Sequence, residues 1–288
     1  MEILDWEYWC FKSVMLVGLM GEFELIFLGT GGGRYSMITQ RRRTGGIRII
    51  GSSNIQIDPG PGSIAYSNQL NLDPQKVEYL LISHCHPDHD NDAEVYIEAM
   101  TQGGAKRRGV LIAPRGVLNG NDSCEPRISS YHKRMVGRIC EVSPGDSVDL
   151  GGVEVRALKA KHGDPDTVGF RLTLPWGDIG YTSDTEYFEG LGEQYRGVRL
   201  LIICVLRPRG APIKGHLCTD DAVKILEEAR PESSIITGFG MRMIYSNPDV
   251  EAKAIEEASR IRTVAARDNM RLRLKMESES KQRLLDMF

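Results

Sequence analysis

A chain of 288 residues with 41% hydrophobic and 26% charged residues is long enough to bury a sizeable core. That composition excludes wholesale disorder and fibrous or low-complexity architecture. A formal charge of −3 excludes the overall basic excess that draws most nucleic-acid binders to their ligand, so a polyanion has to be gripped locally.

Residues 1–20 form an apolar extension with Trp6, Tyr8, Trp9, Phe11, Met15, Leu16, Val17 and Leu19 ahead of the first strand. They are expected to pack on the body or on a second subunit, which favours a homo-oligomer; an upstream start in place of Met20 is the alternative. Glu2, Asp5 and Glu7 stand where a signal peptide needs positive charge, and the stretch 14–20 is too short to cross a bilayer. Six cysteines without a CxxC pair read as reduced thiols in a chain too large to need disulfides. The expectation is a cytoplasmic protein with no membrane partner.

Short runs of β-branched and aliphatic residues bounded by Gly, Pro or Asp predict strands near 23–28, 46–50, 54–58, 78–83, 109–113, 138–142, 153–159, 168–174, 177–182, 199–205, 233–237, 261–266 and 270–274. Apolar spacing of three and four predicts helices over 90–101, 186–194, 219–229, 248–259 and a charged C-terminal helix in 276–288. No linker divides the series, so 21–275 reads as one α/β domain of two sheets with helices outside. The basic runs Arg41-Arg42-Arg43 and Lys106-Arg107-Arg108 read as local anion grips or as solvated loops.

The strongest chemical signal follows the strand Tyr79-Leu80-Leu81-Ile82-Ser83, where His84-Cys85-His86-Pro87-Asp88-His89 gathers three imidazoles and a carboxylate. These groups suit Zn²⁺, Mn²⁺ and Fe. His84 and His86 can face one side at a strand end, while Asp88 and His89 serve a neighbouring position after the Pro87 turn. His162 and Asp184 each follow a predicted strand. Alone, His162 reads equally as a surface histidine and Asp184 as a helix cap; in series with the cluster both read as metal ligands, Asp184 bridging two cations.

The run HxHxDH resembles the hallmark of the metallo-β-lactamase superfamily, and the resemblance extends over nearly the whole chain from Phe23. It implies a four-layer αββα sandwich and an early strand-end carboxylate behind the site, here Asp58 in Ile57-Asp58-Pro59-Gly60. Leu28-Gly29-Thr30-Gly31-Gly32-Gly33 and Lys214-Gly215-His216-Leu217 are similar to the LGTG and GHST segments of the ribonuclease Z branch and short phosphodiesterases. That branch implies His216 as proton donor to the leaving oxygen. Read from the residues themselves, Asp88 as a metal ligand can also hold the attacking water, and the backbone N–H groups of the glycine turn can contact phosphate. Without the resemblance, His216 reads as a helix cap, and Cys85 and Cys218 as bystanders.

Two departures qualify the likeness. The intervals from His162 to Asp184 and from Asp184 to His216 are too short for a tRNA-gripping arm or a β-CASP insertion. The family's terminal histidine falls on Gly238 in Thr237-Gly238-Phe239-Gly240, and no histidine lies beyond His216. A second metal is therefore expected to be held weakly or by His216, and Gly238→His is expected to strengthen it unless the position needs a positive φ. Arg207, Arg209 and Lys214 make a basic loop suited to phosphate. The expected activity is hydrolysis of a phosphodiester, RNA included, by a Zn²⁺-activated water. The alternatives are a lactonase or thioesterase acting on a small ester, or a binding homologue without turnover.

Overall fold

A computed structural model describes residues 22–275. The proposed extension at 1–20 and the helix expected at 276–287 lie outside the described residues. The strands are β1 (Phe23–Phe27), β2 (Ile47–Ile50), β3 (Ile55–Ile57), β4 (Tyr79–Leu81), β5 (Arg108–Ala113), β6 (Val136–Glu141), β7 (Ser147–Asp149), β8 (Glu154–Lys159), β9 (Val168–Leu174), β10 (Gly177–Tyr181), β11 (Leu200–Arg207), β12 (Leu217–Cys218), β13 (Ser233–Thr237), β14 (Arg262–Ala265) and β15 (Arg271–Leu274). They form a seven-stranded sheet, β15-β1-β2-β3-β4-β5-β6, and an eight-stranded one, β14-β13-β11-β10-β9-β8-β7 with β12 beside β11.

The helices are α1 (Gly33–Thr39), α2 (Ser63–Gln69), α3 (Pro87–Asp90), α4 (Ala93–Thr101), α5 (Arg115–Asn119), α6 (Ser130–Met135), α7 (Thr219–Ala229), α8 (Met241–Ser246) and α9 (Pro248–Ser259). Between the sheets lies one apolar layer in which Phe23, Phe27 and Ile57 belong to the same cluster as Phe170, Leu172 and Ile202. The outer face of the first sheet is covered through Tyr96, Ile97 and Met100 of α4. The outer face of the second is covered by Ala222, Ile225 and Leu226 of α7 and Ile255 of α9. The layers are thus αββα. β11, Leu-Leu-Ile-Ile-Cys-Val-Leu-Arg, is buried on both faces because it lies between parallel neighbours under helices.

The helix expected at 186–194 is absent: only a 3₁₀ turn forms, Gly192–Tyr195. Gly190 takes φ +81°, and the segment's backbone is claimed from outside, Glu186 N–H by Lys161 O and Gly192 N–H by Glu228. The helix expected at 90–101 is split, with α3 started by Pro87 and α4 beginning only at Ala93. The reduced-thiol reading is also corrected: Cys85 and Cys124 form a disulfide, a pairing across 39 residues that no local spacing announces. Asp164 brings the two loops together, accepting from Cys85 N–H and from Asn121 Nδ2. The Arg41–Arg43 run is spent on packing: Arg41 donates to Tyr245 Oη, and Arg43 lies over Tyr66 and donates to Asn269.

Candidate metal centre and adjoining cleft

β3, β4 and β5 run parallel in one sheet and β10, β11 and β13 in the other. Their carboxyl ends deliver loops to a common edge, where ligands collect in such sheets. From the first sheet come Asp58 and the His84–His89 run; from the second come His162 after β8, Asp184 after β10, the His216 loop after β11, and Gly238 after β13.

His84 Nε2 lies 3.1 Å from His86 Nδ1, which lies 2.9 Å from His162 Nε2. Imidazole nitrogens placed tetrahedrally around one Zn²⁺ stand roughly 3.4 Å apart, so the triplet is close to the size of an ion's coordination shell. The nitrogens turned away are fixed by oxygen. His162 Nδ1 donates to the carbonyl of Gly215 at 2.7 Å, and a carbonyl can only accept, so Nε2 faces the centre with its lone pair. Ser83 Oγ gives its own proton to Asp58 Oδ2, leaving a lone pair for His84 Nδ1 at 3.0 Å.

Asp58, at φ +48°, is the hub of the buried side. Its carboxylate accepts from Ser83 N–H, Ser83 Oγ and Tyr181 Oη, each at 2.7 Å, and from His89 Nδ1 at 2.9 Å. His89 Nε2 then points at Asp184 Oδ2 (3.5 Å) and Asp88 Oδ2 (3.6 Å). Asp88 Oδ2 also accepts the backbone N–H of Gly33 at 2.7 Å. The glycine turn after β1, where a phosphate contact was expected, thus spends that N–H on a carboxylate of the cluster.

Asp184 Oδ2 is buried and has no hydrogen-bond partner, although His216 Nδ1 (3.4 Å), His89 Nε2 (3.5 Å) and His162 Nε2 (3.9 Å) surround it. An orphaned carboxylate oxygen amid imidazoles is costly without a cation to bind, and this fits the donor set to a metal centre. The ligand atoms fall into compact groups: His84, His86 and His162; His84, His89 and Asp184; His162, Asp184 and His216. Burial, then the neighbouring imidazoles, holds His84 well below the usual histidine range; burial and His162 lower His86. Both are thereby kept in the neutral, ligating form. Burial opposes a charge on His89, yet Asp88, Asp184 and Asp58 outweigh it and raise it well above the ordinary value, so an ion on Nε2 would have to displace the proton that these carboxylates favour there. His216 is lowered by burial, against the pull of Asp184.

Gly238 has φ +68°, and a Cβ there would stand 3.1 Å from Cys204 Cβ and 3.2 Å from its Sγ. The condition set for Gly238→His is therefore not met: the position needs the left-handed backbone that glycine tolerates. The glycine turn again supplies the reason, because Gly32 N–H donates to Phe239 O and a Cβ on Gly32 would meet Gly238 O at 2.7 Å. A small cavity of about 30 Å³ remains between Gly238, Cys204, Asp88 and His89. Burial and Asp184 push the Cys204 thiol up, so it stays protonated beside the carboxylates.

Beyond His216 opens a cleft of about 360 Å³ whose walls include Glu186, Tyr187, Ile213 and Lys214. Arg207 and Arg209 do not line it. Arg207 pairs through its backbone with Cys218, and exposed Arg209 donates its N–H to Glu251. Sequence reasoning did not single out Glu186, whose Oε2 accepts Gly215 N–H at 3.0 Å and so supports the peptide that holds His162. It also passed over Ser83 and Tyr181, whose contacts join segments remote in the chain and leave no local signal.

Two sheets face to face, with a histidine and aspartate cluster where their strand ends meet, define a metallohydrolase type of scaffold. The chain matches the β-lactamase superfamily domain over residues 53–239 and belongs to that superfamily. It is 42% identical over 254 residues to an uncharacterized protein of Methanocaldococcus jannaschii, MJ1374, covering 87% of this chain and 95% of that one. Ribonuclease Z of Methanosarcina mazei is 27% identical over 151 residues, covering 52% of this chain and 48% of that protein, so the chain spans about half of that relative. Among solved structures, the metallo-β-lactamase fold protein YhfI of Bacillus subtilis superposes with a TM-score of 0.71 at 16% identity, covering 88% of this chain and 99% of that chain. A diphosphatase from the PhnP family gives 0.66 at 16% identity, covering 88% and 98%. These two likenesses carry the fold.

Proposed function

We propose that the chain is a metal-dependent phosphodiesterase in which His84, His86, His162 and Asp184 hold one ion and Asp88, His89 and Asp184 a second, with Zn²⁺ as the first choice of metal. The observation that carries the reading is the orphaned Asp184 Oδ2 among three imidazoles, with Lys214 of the adjoining cleft two residues from His216. When bound, the metal supplies an acidified water and absorbs negative charge developing on phosphorus-bound oxygen.

The protein's own groups do the rest. Asp58 and the Gly215 carbonyl aim His89 and His162, and the Gly33 N–H aims Asp88, the carboxylate placed to orient the attacking water. Lys214 draws the phosphate. His216 turns Nδ1 toward Asp184, which favours the doubly protonated ring, and from that form Nε2 can give a proton to the leaving oxygen. A relationship to ribonuclease Z supports phosphorus over carbon as the electrophile.

The test is metal analysis of protein purified without chelator, paired with bis(p-nitrophenyl) phosphate, cyclic nucleotides and acyl-lactones. Bound metal with phosphodiester turnover is expected. Turnover of lactones alone overturns the reading, and no turnover at full metal content makes the chain a binding homologue.

A further inference from the structure

The cleft beside His216 carries an assignment that rests on the phosphodiesterase reading and deepens it. At about 360 Å³ it lies at the small end of ligand pockets, which run from roughly 300 to 1,000 Å³. Its walls combine three kinds of surface. Ile213 is apolar yet 39% exposed, held at the rim by His216 N–H donating to its carbonyl. Tyr187 is an aromatic plate fixed at one end, its Oη donating to Glu228 at 2.5 Å, with Lys224 Nζ 4.8 Å from its ring centre. The ionic groups on the walls are one cation, Lys214, and two carboxylates, Glu186 and Asp221.

Those carboxylates decide what the cleft takes. Each is anchored through one oxygen, Glu186 Oε2 by Gly215 N–H and Asp221 Oδ2 by Cys218 N–H, and Asp221 Oδ1 receives Lys224 at 3.3 Å. Glu186 Oε1 is the acceptor left to a ligand. With Asp221 engaged by Lys224, Lys214 is left to meet one phosphate and the Glu186 carboxylate beside it repels more, whereas vicinal hydroxyls of a ribose are what carboxylates commonly bind. An aromatic face and an aliphatic side chain suit a planar base, and one lysine suits one phosphate.

We propose that this cleft binds the nucleoside portion of a mononucleotide-sized phosphodiester: base against Tyr187 and Ile213, ribose hydroxyls toward Glu186, and phosphate between Lys214 and the metal centre. Hydrolysis then adds water across one P–O bond. The water's hydroxyl bonds to phosphorus, the bond to the ribose oxygen breaks, and that oxygen leaves with a proton from His216, which the proton released by the water replaces, giving a phosphomonoester and a free hydroxyl.

The probe is adenosine monophosphate titrated calorimetrically into the metal-loaded full chain, wild type, Ile213→Trp and Lys214→Ala. Each substitution is expected to weaken binding about tenfold or more, with metal content unchanged. The ratio of kcat/KM for adenosine 2′,3′-cyclic phosphate to that for bis(p-nitrophenyl) phosphate is expected to fall about tenfold in Ile213→Trp, whereas Lys214→Ala, which loses a phosphate contact common to both esters, lowers both. If both variants bind the nucleotide as the wild type does, or if the Ile213→Trp ratio does not move, the assignment is overturned. Should the wild type hydrolyse neither ester yet bind the nucleotide in an Ile213- and Lys214-dependent way, the cleft assignment stands and the phosphodiesterase reading falls. Should it hydrolyse bis(p-nitrophenyl) phosphate while nucleotide binding is indifferent to both substitutions, the phosphodiesterase reading stands and the cleft assignment falls.

Discussion

His162 Nδ1 donates to the carbonyl of Gly215 at 2.7 Å, so the imidazole after β8 and the loop that presents His216 are one mechanical unit. Gly215 sits at φ +80°, and a Cβ there would reach within 3.3 Å of that same Nδ1. Gly215→Ala should therefore cost about 1–2 kcal/mol of backbone strain and, by displacing the carbonyl, weaken metal binding roughly 10–100-fold. Competition with a chromogenic chelator reads the affinity; an alanine variant with wild-type affinity would detach Gly215 from the centre.

Removing a histidine from the first triplet should be more drastic. His84→Ala or His86→Ala takes one of three convergent nitrogens, so bound metal and turnover should be lost together. Metal analysis by mass spectrometry checks this, and full metal content in either variant would sink the ligand assignment.

Asp184→Asn keeps the shape but not the charge. Because Oδ2 stands 3.4 to 3.9 Å from imidazole nitrogens of His89, His162 and His216 without a hydrogen bond of its own, an amide there would leave ions bound at those nitrogens without neutralisation. Metal content should fall and turnover drop by orders of magnitude. A variant that retains both would make Asp184 a structural carboxylate only.

Asp58→Asn tests orientation instead of ligation. The carboxylate holds His89 Nδ1, Tyr181 Oη and both donors of Ser83, and an amide can replace only part of that set. Affinity for the ion near His89 should fall about 10–100-fold while the ion near His84 and His86 is held more firmly. Two-phase metal release in a chelator titration is the signature, and a single unchanged phase would refute the role.

Gly238→His should not restore a stronger second site. The left-handed φ of +68° costs an L-residue about 1–2 kcal/mol, and Cys204 leaves its Cβ little room. A lower melting temperature without tighter metal binding is expected; a stable variant with a tighter second ion would show that the 238–240 turn can rearrange.

Most strands of both sheets were legible as short aliphatic runs, and β9, Val168–Leu174, and β13, Ser233–Thr237, fall on their expected residues, whereas the three-residue β7 and two-residue β12 gave no such run. α7 and α9 were equally plain from their apolar spacing. What stayed hidden depends on partners distant in the chain. The segment 186–194 has helical spacing but gives its backbone bonds to Lys161 and Glu228. α1, α5 and α6 are too short to show a periodicity. The histidine-rich run was visible at once, whereas Gly33 beside Asp88 joins residues 55 apart, and only the fold brings them together.

The two sheets contribute different members of the same cluster: His84, His86, Asp88 and His89 hang from the first, His162, Asp184 and His216 from the second. An ion held by both sets is a rivet through the sandwich, coupling the docking of the two halves of the chain to metal supply. Stability of the assembled sandwich would then depend on free metal concentration as a ligand-linked equilibrium. Chelation would loosen the layers from one edge, while the apolar layer between Phe27 and Phe170 still holds them from within.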